Sequence, residues 1–217
     1  MRRGRATIAV FARAPLPGQT KSRLIPLLGA WGAARLHRLL LCRTLEVARA
    51  TGARVELHGL PNARHALLVT LARHYRIQLL PQRGANLGER MYRALKQGQR
   101  RSGHFILIGS DIPVFTADYL GRALRLLAAG RHAVLGPAED GGYALIGLRG
   151  VKPEIFQTVQ WGGADVLSTT AATLNRLGYR WQALDAVWDV DRPEDLARFE
   201  RIRWRRSFSA GRRASAR

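Results

Sequence analysis

Three cations lie close together near the start of the chain, where Arg13, Lys21 and Arg23 surround Gly18 in a turn-rich segment. Guanidinium and ammonium groups neutralise phosphate oxygens, and glycine lets the backbone approach a ligand closely. The segment is therefore a candidate nucleotide-binding loop, with a basic surface turn as the alternative. It is not a Walker loop, because Pro15 stands six residues before Lys21, where that pattern requires glycine.

Carboxylates at two further points in the sequence could hold Mg²⁺ or Mn²⁺, which prefer oxygen ligands. Asp111 comes shortly after the most apolar run of the chain, and Asp189 and Asp191 occupy alternate positions. In an extended segment, alternate side chains point to the same side, which suits metal binding. Two alternatives remain open: Asp111 could cap the turn that follows it, and Asp191 could cap the helix that Pro193 begins.

A fourth candidate segment comprises Asp140, Gly141, Gly142 and Tyr143, where two glycines stand between an acid and an apolar run. Such a pair lets the backbone approach a ligand closely. The segment is therefore a candidate ligand-binding loop, with a plain hairpin turn as the alternative.

Short apolar runs alternate with amphipathic stretches along the chain, which is typical of an α/β protein with a mostly parallel sheet. The predicted strands are residues 7–13, 54–59, 76–80, 104–109, 133–136, 143–148 and 180–184. The predicted helices are residues 31–50, 65–74, 87–99, 116–129, 164–177 and 192–203. Ligands of open α/β sheets bind beyond the carboxyl ends of the strands, where all four candidate segments fall. No Gly-x-Gly-x-x-Gly follows the first strand, which argues against a dinucleotide-binding oxidoreductase.

Length and apolar content predict one folded domain over residues 1–203. The chain has 217 residues, of which 47% are hydrophobic, enough to bury a core. The longest stretch free of Asp, Glu, Lys and Arg is residues 24–34, whereas a membrane-spanning helix needs about 20 apolar residues. The N-terminal apolar run stops at Arg13, too early for a secretory signal, so we expect a cytoplasmic protein. The single Cys42 is expected to pack in the core.

The net charge of +21 would ordinarily indicate nucleic-acid binding. Its distribution weakens that interpretation, because 33 of the 36 basic residues are arginines and ten of the 36 lie in residues 1–5 and 201–217. The tail at residues 204–217 has no acidic residue and no apolar periodicity, and it is predicted to be disordered. Nucleic-acid contact through that tail stays open as an accessory role.

Five ordered motifs between Phe11 and Leu196 resemble the DUF2064 group of bacterial proteins, which are glycosyltransferase-like and have the GT-A, nucleotide-diphospho-sugar transferase fold. The motifs are Ala14-Pro-Leu-Pro-Gly-Gln-Thr-Lys-Ser-Arg-Leu24, Asn86-Leu-Gly-Glu-Arg-Met91, Gly109-Ser-Asp-Ile-Pro113, Gly136-Pro-Ala-Glu-Asp-Gly-Gly-Tyr-Ala-Leu-Ile-Gly147 and Asp189-Val-Asp-Arg-Pro-Glu-Asp-Leu196. The first and third are also distantly similar to 2-phospholactate guanylyltransferase and molybdenum-cofactor guanylyltransferase. The resemblance implies a single three-layer α/β/α domain with a mostly parallel central sheet.

The resemblance also implies roles for the candidate residues. The phosphates of a nucleotide would be held by Arg13, Lys21 and Arg23, and a divalent cation by Asp111, with Asp189 or Asp191 completing the metal site. The sugar or acceptor pocket would be lined by Asp140, Gly141, Gly142 and Tyr143. Two residues depart from the family pattern, Ile112 where cysteine is frequent and Val114 where an acid is frequent, so the acceptor side is expected to differ.

The hypothesis for the reaction is metal-assisted glycosyl transfer from a nucleotide-diphospho-sugar to a small acceptor, with Mg²⁺ or Mn²⁺ on Asp111 and Asp140 as the candidate general base. An alternative is nucleotidyl transfer, in which a phosphorylated acceptor attacks an NTP and pyrophosphate leaves. A third hypothesis is a protein that binds a nucleotide or a nucleic acid without turnover.

Overall fold

The fold is given by a computed structural model that describes residues 6–202, so the basic tail predicted at 204–217 lies outside it. Within the described residues, one sheet contains seven strands in the order β3-β2-β1-β4-β6-β5-β7. The strands are β1 Thr7–Arg13, β2 Arg54–Leu60, β3 Gln78–Pro81, β4 Phe105–Ile108, β5 Ala133–Pro137, β6 Tyr143–Leu148 and β7 Trp181–Ala183. All seven predicted strands are present: β1 and β6 have the predicted bounds, and the ends of the others differ by at most two residues.

Strand β1 lies in the middle of the parallel half of the sheet, between β2 and β4 and parallel to both. Strand β6 runs antiparallel to β4 and to β5, and β7 runs parallel to β5. The reversal of β6 follows from its short connection to β5, because a tight loop can join only antiparallel neighbours. The prediction of a mostly parallel sheet is confirmed.

Helices cover both faces of the sheet. They are α1 Ile25–Ala50, α2 Ala66–Tyr75, α3 Leu87–Arg101, α4 Ala117–Ala128, α5 Glu154–Gln157 and α6 Val166–Arg176, with a 3₁₀ turn at Ser22–Leu24 and a last helical segment over residues 193–202. Helix α1 begins six residues earlier than predicted, but its non-helical Gly29 (φ 68°) separates a first turn from the regular helix. No helix between residues 6 and 202 is long and apolar enough to cross a membrane.

Alternate residues of β1 are buried in two separate hydrophobic cores, because successive side chains of a strand point to opposite faces of the sheet. Ile8 and Val10 pack with buried residues of α1, α2 and α4 on one face. Ala9 and Phe11 pack with α3, α5 and α6 on the other. Cys42 packs against the first core, where it is partly buried. The predicted three-layer α/β/α architecture is confirmed.

Two helical glycines are expected to respond in opposite directions to alanine. A Cβ added at Gly98 of α3 would lie 2.1 Å from a ring carbon of Phe105, whereas one at Gly121 of α4 meets the flexible end of Arg125 at 3.2 Å. We expect Gly98→Ala to lower the free energy of unfolding by about 1–3 kcal/mol through overpacking. Gly121→Ala should raise it by about 0.5–1 kcal/mol, because alanine favours the helix. Urea unfolding measures both, and a stabilised Gly98→Ala variant would contradict the packing argument.

Candidate functional site

Four of the candidate residues meet at the carboxyl edge of the sheet. The Lys21 ammonium nitrogen lies 2.8 Å from Asp111 Oδ2 and 3.7 Å from Asp191 Oδ1, and Arg23 Nη1 lies 2.5 Å from Asp191 Oδ2. The segment that carries Asp191 is held against the end of β4, because Val190 N–H donates to the Asp111 carbonyl at 3.2 Å. The fold therefore brings the first and last candidate segments together around one lysine.

Lys21 occupies an unusual position for a lysine. Its side chain is only 5% exposed, and its backbone is left-handed (φ 51°, ψ 46°), which is unfavourable for a residue with a Cβ. Burial lowers the pKa of Lys21, but the ion pair with Asp111 and the charges of Asp191 and Asp189 outweigh burial and hold that pKa above its usual value. Lys21 is thus a fixed, buried positive charge.

Asp111 is correspondingly kept ionised. Burial raises the pKa of its carboxyl, but the charge of Lys21 and the hydrogen bond from it outweigh burial and hold the pKa below its usual value. Asp111 also lines a cavity of about 230 Å³, together with Asp140 and Asp189. We call this space the carboxylate cavity.

The carboxylate cavity carries more negative charge than Lys21 alone offsets. Burial, followed by the charges of Asp111, Asp140 and Asp191, raises the pKa of Asp189 to about 6 although Lys21 opposes the shift. Such an excess suits a divalent cation with oxygen ligands. The described residues contain no ready-made group of three acidic, histidine or cysteine side chains for a metal ion. A cation here would therefore share its coordination with phosphate oxygens or water, as Mg²⁺ usually does.

Loss of the Asp189 charge is expected to stabilise the metal-free protein at neutral and higher pH. Its folded pKa of about 6 lies above the roughly 3.9 of an unfolded aspartate. The folded state therefore binds more protons between about pH 4 and pH 6, and stability falls as pH rises through that window. After allowance for solvent screening, Asp189→Asn should raise the free energy of unfolding by on the order of 1–2 kcal/mol at about pH 8 and by little at about pH 4.

Urea unfolding in EDTA at these two pH values measures the effect of Asp189→Asn. Asp185→Asn is the matched control, because the Asp185 side chain is 85% exposed. A gain for Asp189→Asn that is equal at both pH values, or a loss at the higher one, would contradict the charge argument.

The loop between β5 and β6 forms one wall of the carboxylate cavity and is also a hairpin connection. Asp140 Oδ1 accepts from Gly142 N–H at 3.0 Å, which fixes the carboxylate. Gly141 is left-handed (φ 88°), and a Cβ there would lie 2.0 Å from the Ala164 carbonyl oxygen, so only glycine fits. Tyr143 lines the same cavity, and burial raises the pKa of its phenol, which stays neutral. The same loop is therefore both the hairpin connection from β5 to β6 and one wall of the carboxylate cavity.

A second cavity of about 280 Å³ lies beside the loop after β1. It is lined by Arg13, Gln19 and Thr20 from that loop and by Arg90 from α3. We call it the loop cavity. Lys21 and Arg23 do not line it, since both are engaged with the aspartates, and Gly18 (φ 79°) forms the turn between them and Arg13. Of the predicted phosphate-binding cations, Arg13 therefore lines the loop cavity, whereas Lys21 and Arg23 are ion-paired with aspartates and line neither cavity.

Two residues of the site were missed by the sequence reasoning. Arg90 lies within the Asn86–Met91 motif, and its cavity-lining role could have been suspected from that motif. His37 is buried in α1, and its Nε2–H donates to the Arg13 carbonyl at 3.0 Å. Burial lowers the pKa of His37, so it holds the end of β1 as a neutral ring. No local signal marks His37 in the sequence.

Comparison with solved structures finds a neighbour at substantial identity. A crystal structure from Desulfovibrio desulfuricans G20, described as that of a candidate nucleotide-diphospho-sugar transferase, is 30% identical to this chain. The match covers 86% of this chain and 82% of that one, with a TM-score of 0.80. The class predicted from the sequence, a transferase, agrees with this neighbour.

Two more distant structures share the fold. CMP:2-keto-3-deoxy-manno-octonic acid synthetase complexed with CTP is 14% identical, with coverage of 93% of this chain and 99% of that chain and a TM-score of 0.55. Glucosyl-3-phosphoglycerate synthase from Mycobacterium tuberculosis, in complex with Mn²⁺, UDP and glucosyl-3-phosphoglycerate, is 10% identical, with coverage of 91% and 76% and a TM-score of 0.53. At these identities the likeness concerns the fold.

Comparison with curated proteins finds no match. A family does match, through a family model that spans residues 44–163, more than half of the chain. Its description is that of an uncharacterized protein conserved in bacteria. The match includes Asp111, the loop from Asp140 to Tyr143, and the motif that contains Arg90. The sequence motifs, the fold and this match agree that the chain belongs to the DUF2064 family.

Proposed function

We propose that this protein is a metal-dependent transferase that moves a glycosyl group from a nucleotide-diphospho-sugar to a small acceptor. The observation that supports this most directly is that the buried Lys21 connects an arginine-lined cavity to a carboxylate-lined one: it follows Thr20, which lines the loop cavity, and it is ion-paired with Asp111, which lines the carboxylate cavity. A donor with a charged diphosphate and a neutral sugar needs these two environments next to each other. The description of the Desulfovibrio neighbour supports the same class of donor.

The loop cavity is the proposed place of the nucleotide. Arg13 and Arg90 offer guanidinium groups, which suit phosphate oxygens, and Gln19 and Thr20 add neutral hydrogen-bonding groups. Its volume of about 280 Å³ is close to the roughly 300 Å³ at which small-molecule pockets begin.

Asp111 and Asp189 are the proposed ligands of the divalent cation, with Asp191 close by. When bound, Mg²⁺ or Mn²⁺ would act as a Lewis acid toward the departing diphosphate. Lys21 contributes a fixed positive charge at the same place, and such a preorganised charge favours a transition state in which negative charge grows on the leaving group. Arg23 keeps Asp191 oriented through their ion pair.

Asp140 is the proposed general base. Its carboxylate lines the carboxylate cavity and is oriented by the hydrogen bond from Gly142 N–H, so it can accept the proton of an acceptor hydroxyl. Gly142 and Tyr143 line the cavity and form the proposed wall against which the sugar lies, whereas Gly141, packed against the Ala164 backbone, shapes the turn that places them.

Thermal unfolding against NTPs, NDPs and nucleotide-sugars, each with and without Mg²⁺ or Mn²⁺, tests the proposal. A ligand at one hundred times its dissociation constant adds about 2.7 kcal/mol to the free energy of unfolding. A metal-dependent shift with a nucleotide-sugar, followed by release of the NDP, is the expected result. A shift confined to one NTP, with pyrophosphate release, would replace the proposal with nucleotidyl transfer. If no nucleotide shifts the midpoint, the proposed nucleotide site is wrong.

A further inference from the structure

A third cavity, of about 450 Å³, adjoins the carboxylate cavity and shares one side chain with it. Trp161 lines both spaces. The third cavity also receives Tyr92 and Glu89 from α3, Phe156 and Gln157 from α5, and Asn86 at the start of α3. We call it the aromatic cavity. None of these six residues has a role in the nucleotide and metal sites described above.

Three rings form a continuous apolar wall in this cavity. The rings of Phe156 and Trp161 are stacked, with centroids 6.4 Å apart and planes inclined by 24°. Tyr92 continues the wall, with its centroid 6.3 Å from that of Phe156. A pocket of several hundred Å³ with an aromatic wall and a few polar groups is the usual form of a small-molecule site.

The indole of Trp161 is held in place from two sides. Tyr143 meets it edge-on at 6.3 Å between centroids. The α3 backbone also passes so close to the ring that a Cβ added at Gly88 would lie 2.5 Å from the indole Nε1. Only glycine at position 88 leaves room for this ring, so α3 and Trp161 are matched to each other.

The polar groups of the cavity favour a neutral ligand over an anion. Arg93, which also lines the cavity, forms an ion pair with Glu89, so its charge is already neutralised. The backbone N–H of Ala85 and the Arg93 side chain hold the pKa of Glu89 below its usual value, so Glu89 remains an ionised acceptor. Asn86 caps α3 through its side-chain oxygen, which accepts from Glu89 N–H at 2.9 Å, and this leaves its NH₂ as the donor.

We infer that the aromatic cavity binds a saccharide ring. A sugar presents apolar C–H faces that pack on aromatic rings, and hydroxyls that both donate and accept hydrogen bonds. The partly exposed rings of Tyr92 and Trp161, packed against the buried Phe156, provide the first surface, and Glu89, Asn86 and Gln157 the second. A nucleotide is disfavoured here, because its phosphates require cations that are not already paired.

The saccharide is the acceptor of the reaction, an assignment that rests on the proposed function. One of its hydroxyls would extend past Trp161 into the carboxylate cavity. There the bond between the donor sugar carbon and the diphosphate oxygen breaks, and its electron pair leaves with the diphosphate. The acceptor oxygen forms the new bond to that carbon, and its proton passes to Asp140.

Saturation-transfer NMR with methyl glycosides of glucose, mannose and galactose at millimolar concentration tests the inference, in EDTA and without nucleotide. At least one glycoside should receive saturation on its ring C–H protons. Trp161→Leu should weaken its binding at least about tenfold. Trp31→Leu should leave it unchanged, because Trp31 is 75% exposed on α1 and lines none of these cavities. No signal in the unaltered protein, or an equal signal in Trp161→Leu, would overturn the inference.

Gly88→Ala serves as a second variant that keeps every aromatic residue and displaces Trp161 through the added Cβ. It should weaken glycoside binding by a similar factor. Uridine, cytidine and guanosine are the competing probes: transfer to a nucleoside that is lost in Trp161→Leu, in place of transfer to a glycoside, would overturn the inference. Glycoside binding without any nucleotide-dependent thermal shift would uphold the saccharide site while the proposed function fails. NDP release from a nucleotide-sugar without glycoside binding would uphold the proposed function and overturn the saccharide site.

Discussion

Asp111→Asn is expected to lower turnover of the nucleotide-sugar at least about a thousandfold. The substitution keeps the shape of the side chain and an oxygen that can accept from Lys21, but it removes the charge that faces both Lys21 and the carboxylate cavity. Because that charge is the proposed anchor of the divalent cation, stabilisation of the leaving diphosphate would be lost with it. NDP release at saturating metal measures the effect.

The ligand-induced thermal shift of the same variant separates the two cavities. The metal-dependent part of the shift should disappear in Asp111→Asn. The part contributed by Arg13 and Arg90 should remain, because both line the loop cavity and Asp111 lines the other one. Asp118→Asn is the matched control, since the Asp118 side chain on α4 is 84% exposed and pairs with Arg125. Turnover of Asp111→Asn within a few-fold of the control would remove Asp111 from the mechanism.

The sequence predicts those parts of the fold that depend on local pattern. Alternating apolar runs and amphipathic stretches place each strand to within two residues, and the rule for open sheets places Asp111 and the Asp140 loop at the correct edge. The two core faces of β1 follow from the same periodicity. These features are fixed by residues close together in the chain, so a single sequence contains them.

The interior of the site depends on residues far apart in the chain, and here the sequence predicts less. Lys21 and Asp111 are separated by 90 residues, so nothing near Lys21 indicates a buried ion pair in place of a surface cation. Trp161 becomes a shared wall only because α3 passes beneath it at Gly88. The start of the last helical segment was also predicted incompletely. The Asp195 carboxylate accepts from the N–H groups of Asp191 and Arg192, so Asp195 has the capping role that the sequence suggested for Asp191.

Lys21→Met is expected to lower the free energy of unfolding by about 3 kcal/mol at neutral pH. The methionine keeps most of the side-chain volume but leaves Asp111, Asp189 and Asp191 without their shared buried counter-charge. The wild-type ion pair contributes while Asp111 is ionised, so its contribution is lost as pH falls through the lowered pKa of Asp111. The deficit of Lys21→Met should therefore be larger at about pH 8 than at about pH 4, where the unpaired carboxylates are increasingly protonated.

A double-mutant cycle decides whether this loss comes from the ion pair or from packing. If unpaired charge dominates, the variant with both Lys21→Met and Asp111→Asn should be less destabilised than the sum of the single variants, by about 1–3 kcal/mol. If the left-handed backbone at Lys21 or the filled volume dominates, the two effects should simply add, because neither depends on the charge of Asp111.

Lys152→Met is the matched control, since Lys152 is exposed and this substitution should change stability by less than about 0.5 kcal/mol. Urea unfolding of the wild type, the two single variants and the double variant at both pH values gives the coupling free energy and its pH dependence. Strict additivity at about pH 8 would show that Lys21 is retained for its geometry, whereas coupling that weakens at low pH would show that this buried lysine balances the charge of the aspartates.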